Sequence, residues 1–182
     1  GYSPVVAVYS TFLQRAYDQM VHDVCVGGHP VVFAIDRAGV VGNDGETHQG
    51  ILDLSYLSHI PGMTVMAPRD ATELKEMLRF AVELKQPVAL GYPRGQACGL
   101  TEVGRDKIIY GKAEVLYKES EIALLAVGSM VETALKVREL LRKGSYQATV
   151  VNMRFISPMD TEVLDEVAAN HRVVVTLEEN VL

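Results

Sequence analysis

Apolar residues in this chain come in short unbroken runs separated by longer stretches with a helical rhythm. Val5-Val6-Ala7-Val8, Val31-Val32-Phe33-Ala34-Ile35, Thr64-Val65-Met66-Ala67, Val88-Ala89-Leu90, the stretch from Ile122 to Val127, Thr149-Val150-Val151 and Val173-Val174-Val175 show no alternation of apolar and polar positions. Runs of this kind predict strands covered on both faces. Between them, Leu74, Met77, Leu78 and Ala81 fall on one face of a helix, as do Val131, Ala134, Leu135 and Leu141, and later Val163, Leu164 and Val167. Strand and helix alternate, which predicts an α/β fold whose sheets are mostly parallel and flanked by helices.

Two helix starts are written in side-chain chemistry. Asp70 precedes Glu73, and Ser157 precedes Pro158 and Asp160, so each segment offers an N-cap over a first turn. Near Gly99 to Arg105 the apolar rhythm lapses, and Lys107 to Lys118 then reads as a short hairpin or edge strand. This break divides the chain into one α/β unit at residues 1–105 and a second at 106–182.

Composition narrows the function classes. With 182 residues, 48% hydrophobic and 22% charged, the chain has the makings of a packed core and not of a disordered polyampholyte. The net charge of -6 argues against a general nucleic-acid surface, which needs clustered Lys and Arg. No run reaches the roughly 20 apolar residues of a membrane helix, and no basic-then-apolar leader precedes Tyr2-Ser3-Pro4-Val5, so the expectation is a cytoplasmic protein with no membrane partner. Cys25 and Cys98 stand in no CxxC spacing, which predicts free thiols.

Ligands of open parallel sheets gather beyond the carboxyl ends of the strands, where loops and helix starts present free donors. Tyr9, Ser10, Thr11, Phe12 and then Arg15 follow the first run; Asp36 and Arg37 follow the second; Tyr92, Pro93 and Arg94 follow the fourth. The loop from Asp36 to Gly50 holds four glycines together with Asp44 and His48, a carboxylate and an imidazole in one short segment. It is neither a Walker loop nor a dinucleotide fingerprint, and it lacks the ligand spacing of an EF-hand. Taken singly, an Arg after a strand is usually a salt-bridge residue and a Phe is usually core; their concurrence at neighbouring strand ends points to an anion-binding edge. His22, His29, His59 and His171 lack such company and read as structural or surface residues. Asp18 and Asp23 read as a solvated helix face, and Ser129 as part of a connecting turn.

A family resemblance carries this further. Tyr9-Ser10-Thr11-Phe12-Leu13-Gln14-Arg15-Ala16-Tyr17-Asp18-Gln19, Asp36-Arg37-Ala38-Gly39, Asp44-Gly45-Glu46-Thr47-His48-Gln49-Gly50, Asp53-Leu54-Ser55-Tyr56-Leu57 and Tyr92-Pro93-Arg94-Gly95 together resemble the deoxyxylulose-phosphate synthases, a transketolase-like family dependent on thiamine diphosphate. The resemblance implies two transketolase-like units, both incomplete: a pyrimidine-binding domain lacking its first strand and helix, and a truncated C-terminal domain. It implies pyruvate and glyceraldehyde 3-phosphate as substrates and a homodimeric parent enzyme. Magnesium and the diphosphate would be held by an N-terminal portion absent from this sequence, and the glutamate that activates the cofactor would lie in the missing first strand and helix of the pyrimidine-binding domain. By the same resemblance Phe12, Tyr9 and Arg15 bind the cofactor, Arg37 and Arg94 bind the substrate phosphate, and His48 and Asp44 are catalytic. The piece alone is then expected to be inactive. The alternatives are a fragment of a transketolase or of a 2-oxoacid dehydrogenase beta chain, or a non-catalytic assembly module.

Overall fold

The computed structural model describes residues 1–95, 99–100 and 104–181; Cys98 lies outside the described residues. Two sheets carry the architecture. The first holds β1 (Val5–Tyr9), β2 (Val32–Asp36), β3 (Thr64–Met66), β4 (Val88–Tyr92) and β8 (Phe155–Ser157) in the order β1-β2-β4-β3-β8. Its first four strands are parallel, and β8 closes the edge antiparallel to β3. The second sheet holds β5 (Glu114–Tyr117), β7 (Ala148–Asn152), β6 (Glu121–Ala126) and β9 (His171–Leu177) in the order β5-β7-β6-β9. Here β6 runs parallel to both β7 and β9, while β5 is an antiparallel edge strand within the 107–118 stretch. The expected fold class, parallel-dominated sheets flanked by helices, is the one observed.

Helices cover both faces of each sheet. On one face of the first, Leu13 of α1 (Ser10–Leu13), Met20 just after α2 (Tyr17–Gln19), and Leu57 of α3 (Asp53–Ser58) pack on Phe33, Ile35 and Val65. On the other, Met77 and Ala81 of α4 (Ala71–Leu84) pack on Val32, Met66, Val88 and Leu90. The second sheet repeats the scheme with α5 (Met130–Lys143) on one face and α6 (Thr161–Asn170) on the other. Asp70 caps α4 by accepting from the Glu73 amide at 2.8 Å. At α6 the cap is Asp160, which accepts from the Val163 amide, whereas Ser157 ends β8. The alternative reading of Ser157 as the cap is thus corrected: strand pairing with Val65 holds it in the sheet.

A second correction concerns the outer strands. Continuous valine runs predict burial on both faces, yet Val5 and Val6 of β1 and Val173, Val174 and Val175 of β9 are between 40% and 46% exposed. Both strands lie at sheet edges, where no described element covers the outer side. A buried charge network joins the two halves. Arg154 pairs with Glu73 at 2.7 Å and with Glu114 at 2.9 Å, Arg69 pairs with Glu114 at 2.9 Å, and Asn152 donates to both carboxylates. All five residues are at most 2% exposed. Such pairing is what makes buried charge tolerable.

Candidate functional site

The ends of β1, β2 and β4 deliver their following residues to one place because the register sets Tyr9 beside Asp36 and Asp36 beside Tyr92. The loop after β2 is pinned back onto this edge. Gly39 and Gly50 exchange backbone hydrogen bonds at 2.9 and 2.8 Å, and Gln49 donates to the carbonyls of Val41 and Gly45 at 2.7 Å. Gly50 is required there: a Cβ would lie 2.4 Å from the Arg37 carbonyl oxygen and 2.6 Å from Ser10 Oγ. Arg37 itself holds a left-handed backbone (φ 62°), a conformation non-glycine residues adopt only under constraint.

Asp44 is the hub. The Tyr9 hydroxyl donates to its Oδ2 at 2.6 Å, Arg37 Nε donates to the same oxygen at 2.9 Å, and Arg94 pairs with Oδ1. Arg37 also pairs with Asp36, and its guanidinium lies 4.6 Å from the centre of the Tyr9 ring. The Tyr9 hydrogen bond foremost, and then the two guanidinium groups against the cost of desolvation, hold the Asp44 carboxyl below its ordinary range. Tyr9 responds in the opposite sense: desolvation first and then the Asp44 carboxylate push its phenol up.

Next to this charged group stands an aromatic one. Tyr9 and Phe12 have ring centres 4.9 Å apart, and His48 meets both rings edge-on at 5.5 and 5.8 Å. Thr47 Oγ1 lies 2.8 Å from His48 Nδ1, and among the described residues no hydrogen bond engages Nε2. Phe12 is 51% exposed and, with Arg15, Thr47 and His48, lines an open cleft of about 690 Å³. Arg37 and Arg94 line a second cleft, about 710 Å³, bounded across the way by Ser129 and Met130 at the start of α5.

The structure therefore brings together Tyr9, Phe12, Arg37, Asp44, His48 and Arg94. Arg15 sits at the rim, its guanidinium 5.9 Å from the Phe12 ring centre and its Nη1 turned to the Thr11 carbonyl. Ser129 bonds to Glu179 in the turn after β6, and Asp18 and Asp23 are solvent-exposed. His171 braces the α6–β9 junction against Thr149 at 2.8 Å, and His59 bonds the Tyr17 hydroxyl at 3.0 Å. Sequence reasoning named Ser10 and Asp53 within motifs but gave them no role; they are buried beneath the site and hydrogen-bonded at 2.6 Å. Asp53 did stand within a motif of the resemblance, but a carboxylate opening a helix is ordinarily a capping residue.

Residues 1–98, more than half of the chain, match the transketolase pyrimidine-binding domain. The chain belongs to the transketolase family. Its residues 111–182 match the transketolase C-terminal domain. This transketolase-family chain is 59% identical over 181 residues to the 1-deoxy-D-xylulose-5-phosphate synthase of Lachnoclostridium phytofermentans, covering 100% of the chain and 29% of that protein. It is 49% identical over 183 residues to 1-deoxy-D-xylulose-5-phosphate synthase 1 of Geobacter sulfurreducens, again covering 100% of the chain and 29% of the relative. The chain thus spans under a third of the length of these curated relatives. Among solved structures it resembles a split-gene transketolase described as an inactive beta4 tetramer, with a TM-score of 0.87, 30% identity, and coverage of 99% of this chain and 58% of that one. A transketolase mutant of Pichia stipitis in complex with fructose 6-phosphate gives a TM-score of 0.85 at 19% identity over 97% of this chain and 27% of that one, a likeness of fold alone.

Proposed function

We propose that this chain is the pyrimidine-facing and acceptor-facing part of a 1-deoxy-D-xylulose-5-phosphate synthase. The parent enzyme condenses pyruvate with glyceraldehyde 3-phosphate, releasing CO2, and its product feeds isoprenoid, thiamine and pyridoxal synthesis. Relatives of that name at 49–59% identity support the assignment. The observation that carries it is the convergence of Arg37, Arg94 and Tyr9 on Asp44 beside the half-exposed Phe12 and His48.

The cleft suits one end of thiamine diphosphate. Phe12 presents an exposed ring face at its mouth, a surface on which a flat heterocycle stacks, with Tyr9 and Arg15 shaping the margins. Among the described residues no cluster of His, Cys, Asp and Glu is arranged to hold a metal ion. In this reading magnesium and the diphosphate belong to an N-terminal portion of the parent enzyme. When bound, the thiazolium supplies the electron sink for decarboxylation and carbon–carbon bond formation.

The chain's own residues bind, orient and move protons. Arg37 and Arg94 present planar charged donors suited to a phosphate. At present both guanidinium groups pair with Asp44, so an incoming phosphate binds by competing with that carboxylate. Asp44, kept ionised by its partners, accepts hydrogen bonds beside the acceptor. His48, with Nδ1 occupied by Thr47, turns Nε2 to donate or take a proton at the reacting carbons.

In the same reading residues 1–105 form the pyrimidine-binding domain and 106–182 the C-terminal domain, a division supported by the gap between the two family matches. The parent is a cytoplasmic homodimer. Exposed valines on β1 and β9 leave apolar surface for further protein, which supports a 182-residue piece that is inactive alone. The test is product analysis. The full-length enzyme, given pyruvate, glyceraldehyde 3-phosphate, magnesium and thiamine diphosphate, yields CO2 and a five-carbon phosphate, and the isolated chain yields neither. A full-length enzyme that only transfers two-carbon units between sugar phosphates overturns the reading.

A further inference from the structure

We propose that Ser10 and Asp53 form a buried positioning pair that sets the Tyr9–Phe12 turn against the His48 loop and thereby governs cofactor affinity without touching the cofactor. The proposal rests on the reading of Phe12 and His48 as cofactor-facing.

Ser10 follows Tyr9 directly, opens α1 and is 0% exposed. Its Oγ donates to Asp53 Oδ2 at 2.6 Å, and Asp53, 2% exposed, opens α3 on the far side of the His48 loop. The bond therefore ties the aromatic segment to the end of the loop that carries Asp44 and His48. Gly50 lies against the same point, since a Cβ there would meet Ser10 Oγ and the Arg37 carbonyl oxygen. Ser10 is thus the junction where the segments following β1 and β2 meet.

Local structure does little to hold the turn by itself. Helix α1 is four residues long and has no side-chain cap at its start; it passes through a 3-10 turn at Gln14–Ala16 and a wider π-helical stretch at Met20–Cys25. Contacts with one face of α3 hold it instead. Asp53, Tyr56 and His59, at i, i+3 and i+6, meet Ser10, the Tyr17 ring at 6.1 Å and the Tyr17 hydroxyl at 3.0 Å. Only the first of these lies directly beneath Tyr9.

A pair retained for packing alone has no need of a carboxyl. Asp53 Oδ1 has no hydrogen-bond partner among the described residues, and the residue lines a small cavity of about 50 Å³ at the strand ends; a buried oxygen left this way is costly. The neighbouring Tyr56 hydroxyl interacts with the carboxyl, but the geometry falls short of a hydrogen bond. Burial, opposed by the Ser10 bond and then by the Tyr56 hydroxyl, pushes the Asp53 carboxyl up. A directional bond fixes the rotation of the turn, whereas an apolar contact lets it slide.

The test is thiamine diphosphate binding by the full-length enzyme, measured by titration calorimetry, together with steady-state kinetics. Ser10→Ala and Asp53→Ala are expected to raise the cofactor Kd roughly tenfold each, with a double variant scarcely worse than either single one. Asp53→Asn, which keeps an oxygen for Ser10 to donate to, stays within about twofold of wild type. The KM for glyceraldehyde 3-phosphate stays unchanged throughout, a split that a general loss of folding does not produce. If Asp53→Ala fails to fold, Ser10→Ala carries the test. Wild-type affinity in Ser10→Ala, or equal weakening in Asp53→Asn and Asp53→Ala, overturns the proposal. A wild-type enzyme that binds no thiamine diphosphate overturns the functional reading and this one with it.

Discussion

Tyr9 donates its hydroxyl proton to Asp44 at 2.6 Å, joining residues 35 apart in sequence and tying the end of β1 to the loop that leaves β2. The same Oδ2 accepts from Arg37 Nε, so a single carboxylate oxygen organises aromatic and cationic neighbours together. Tyr9 is the leading cause of the lowered Asp44 pKa. Tyr9→Phe is therefore expected to move the Asp44 titration upward, toward its ordinary value, and to lower kcat/KM roughly threefold to tenfold. Carbon NMR titration of the carboxyl group and a pH–rate profile check both effects; a midpoint that stays put contradicts the account.

Removing one guanidinium separates the half-reactions. Arg37→Ala takes away a charged planar donor that serves only the phosphorylated acceptor in the proposed function. The KM for glyceraldehyde 3-phosphate should rise roughly tenfold to a hundredfold, while decarboxylation of pyruvate changes little. Equal losses in both speak against the phosphate-binding role.

Gly50→Ala tests the close approach of the site's loops. Ser10 Oγ can move only by giving up its bond to Asp53, and the Arg37 carbonyl 2.4 Å from the new methyl is backbone and can yield only by moving the loop. A loss of about 1–3 kcal/mol is expected from overpacking, readable in equilibrium denaturation, together with weaker cofactor binding. An unchanged midpoint counts against the contact.

The interior network should act as a unit. Glu73→Ala leaves Arg154 buried without its 2.7 Å partner, at a cost of roughly 3–5 kcal/mol in denaturant unfolding. Glu73→Leu combined with Arg154→Met removes both charges and should recover part of that loss. A double variant less stable than the sum of the single ones sinks this expectation.

Acid should destabilise the protein. Burial works against ionising Asp70 and Asp160, yet bonds from Arg105 to the first, and from the Ala113 and Val163 amides to the second, hold both below the ordinary carboxylate range. Asp44 shares their sign. For groups so lowered, the stabilisation is complete above the unfolded-state pKa of about 4 and drains away as pH falls through the folded-state value. Asp53, raised by burial, works the other way: its neutral form is favoured, and its share is lost as pH rises from about 4 through its folded value. With Glu119, lowered as well despite desolvation, four lowered carboxyls against one raised give a net loss of stability below about pH 4, visible as a falling denaturation midpoint.

Much of this was legible in the order of residues. Unbroken valine runs alternating with helical periodicity state a parallel α/β fold, because a strand with helices on both sides has no polar face to show. The candidate side chains were legible too, since strand-end positions are where such a sheet exposes donors. The runs at β1 and β9 misled on burial because a sequence records the cover a strand is made for and not whether that cover is present.

From sequence alone came every strand but β8, the long helices α4, α5 and α6, the family and the side chains with chemistry to offer, all of which depend on neighbours along the chain. Tertiary structure alone decided that Asp44 receives Tyr9, Arg37 and Arg94 at once, that Ser10 reaches Asp53, and that Arg154 crosses to Glu73. All of those pairings but Arg37 with Asp44 span tens of residues, and they are set by strand register and loop closure, which no local pattern encodes.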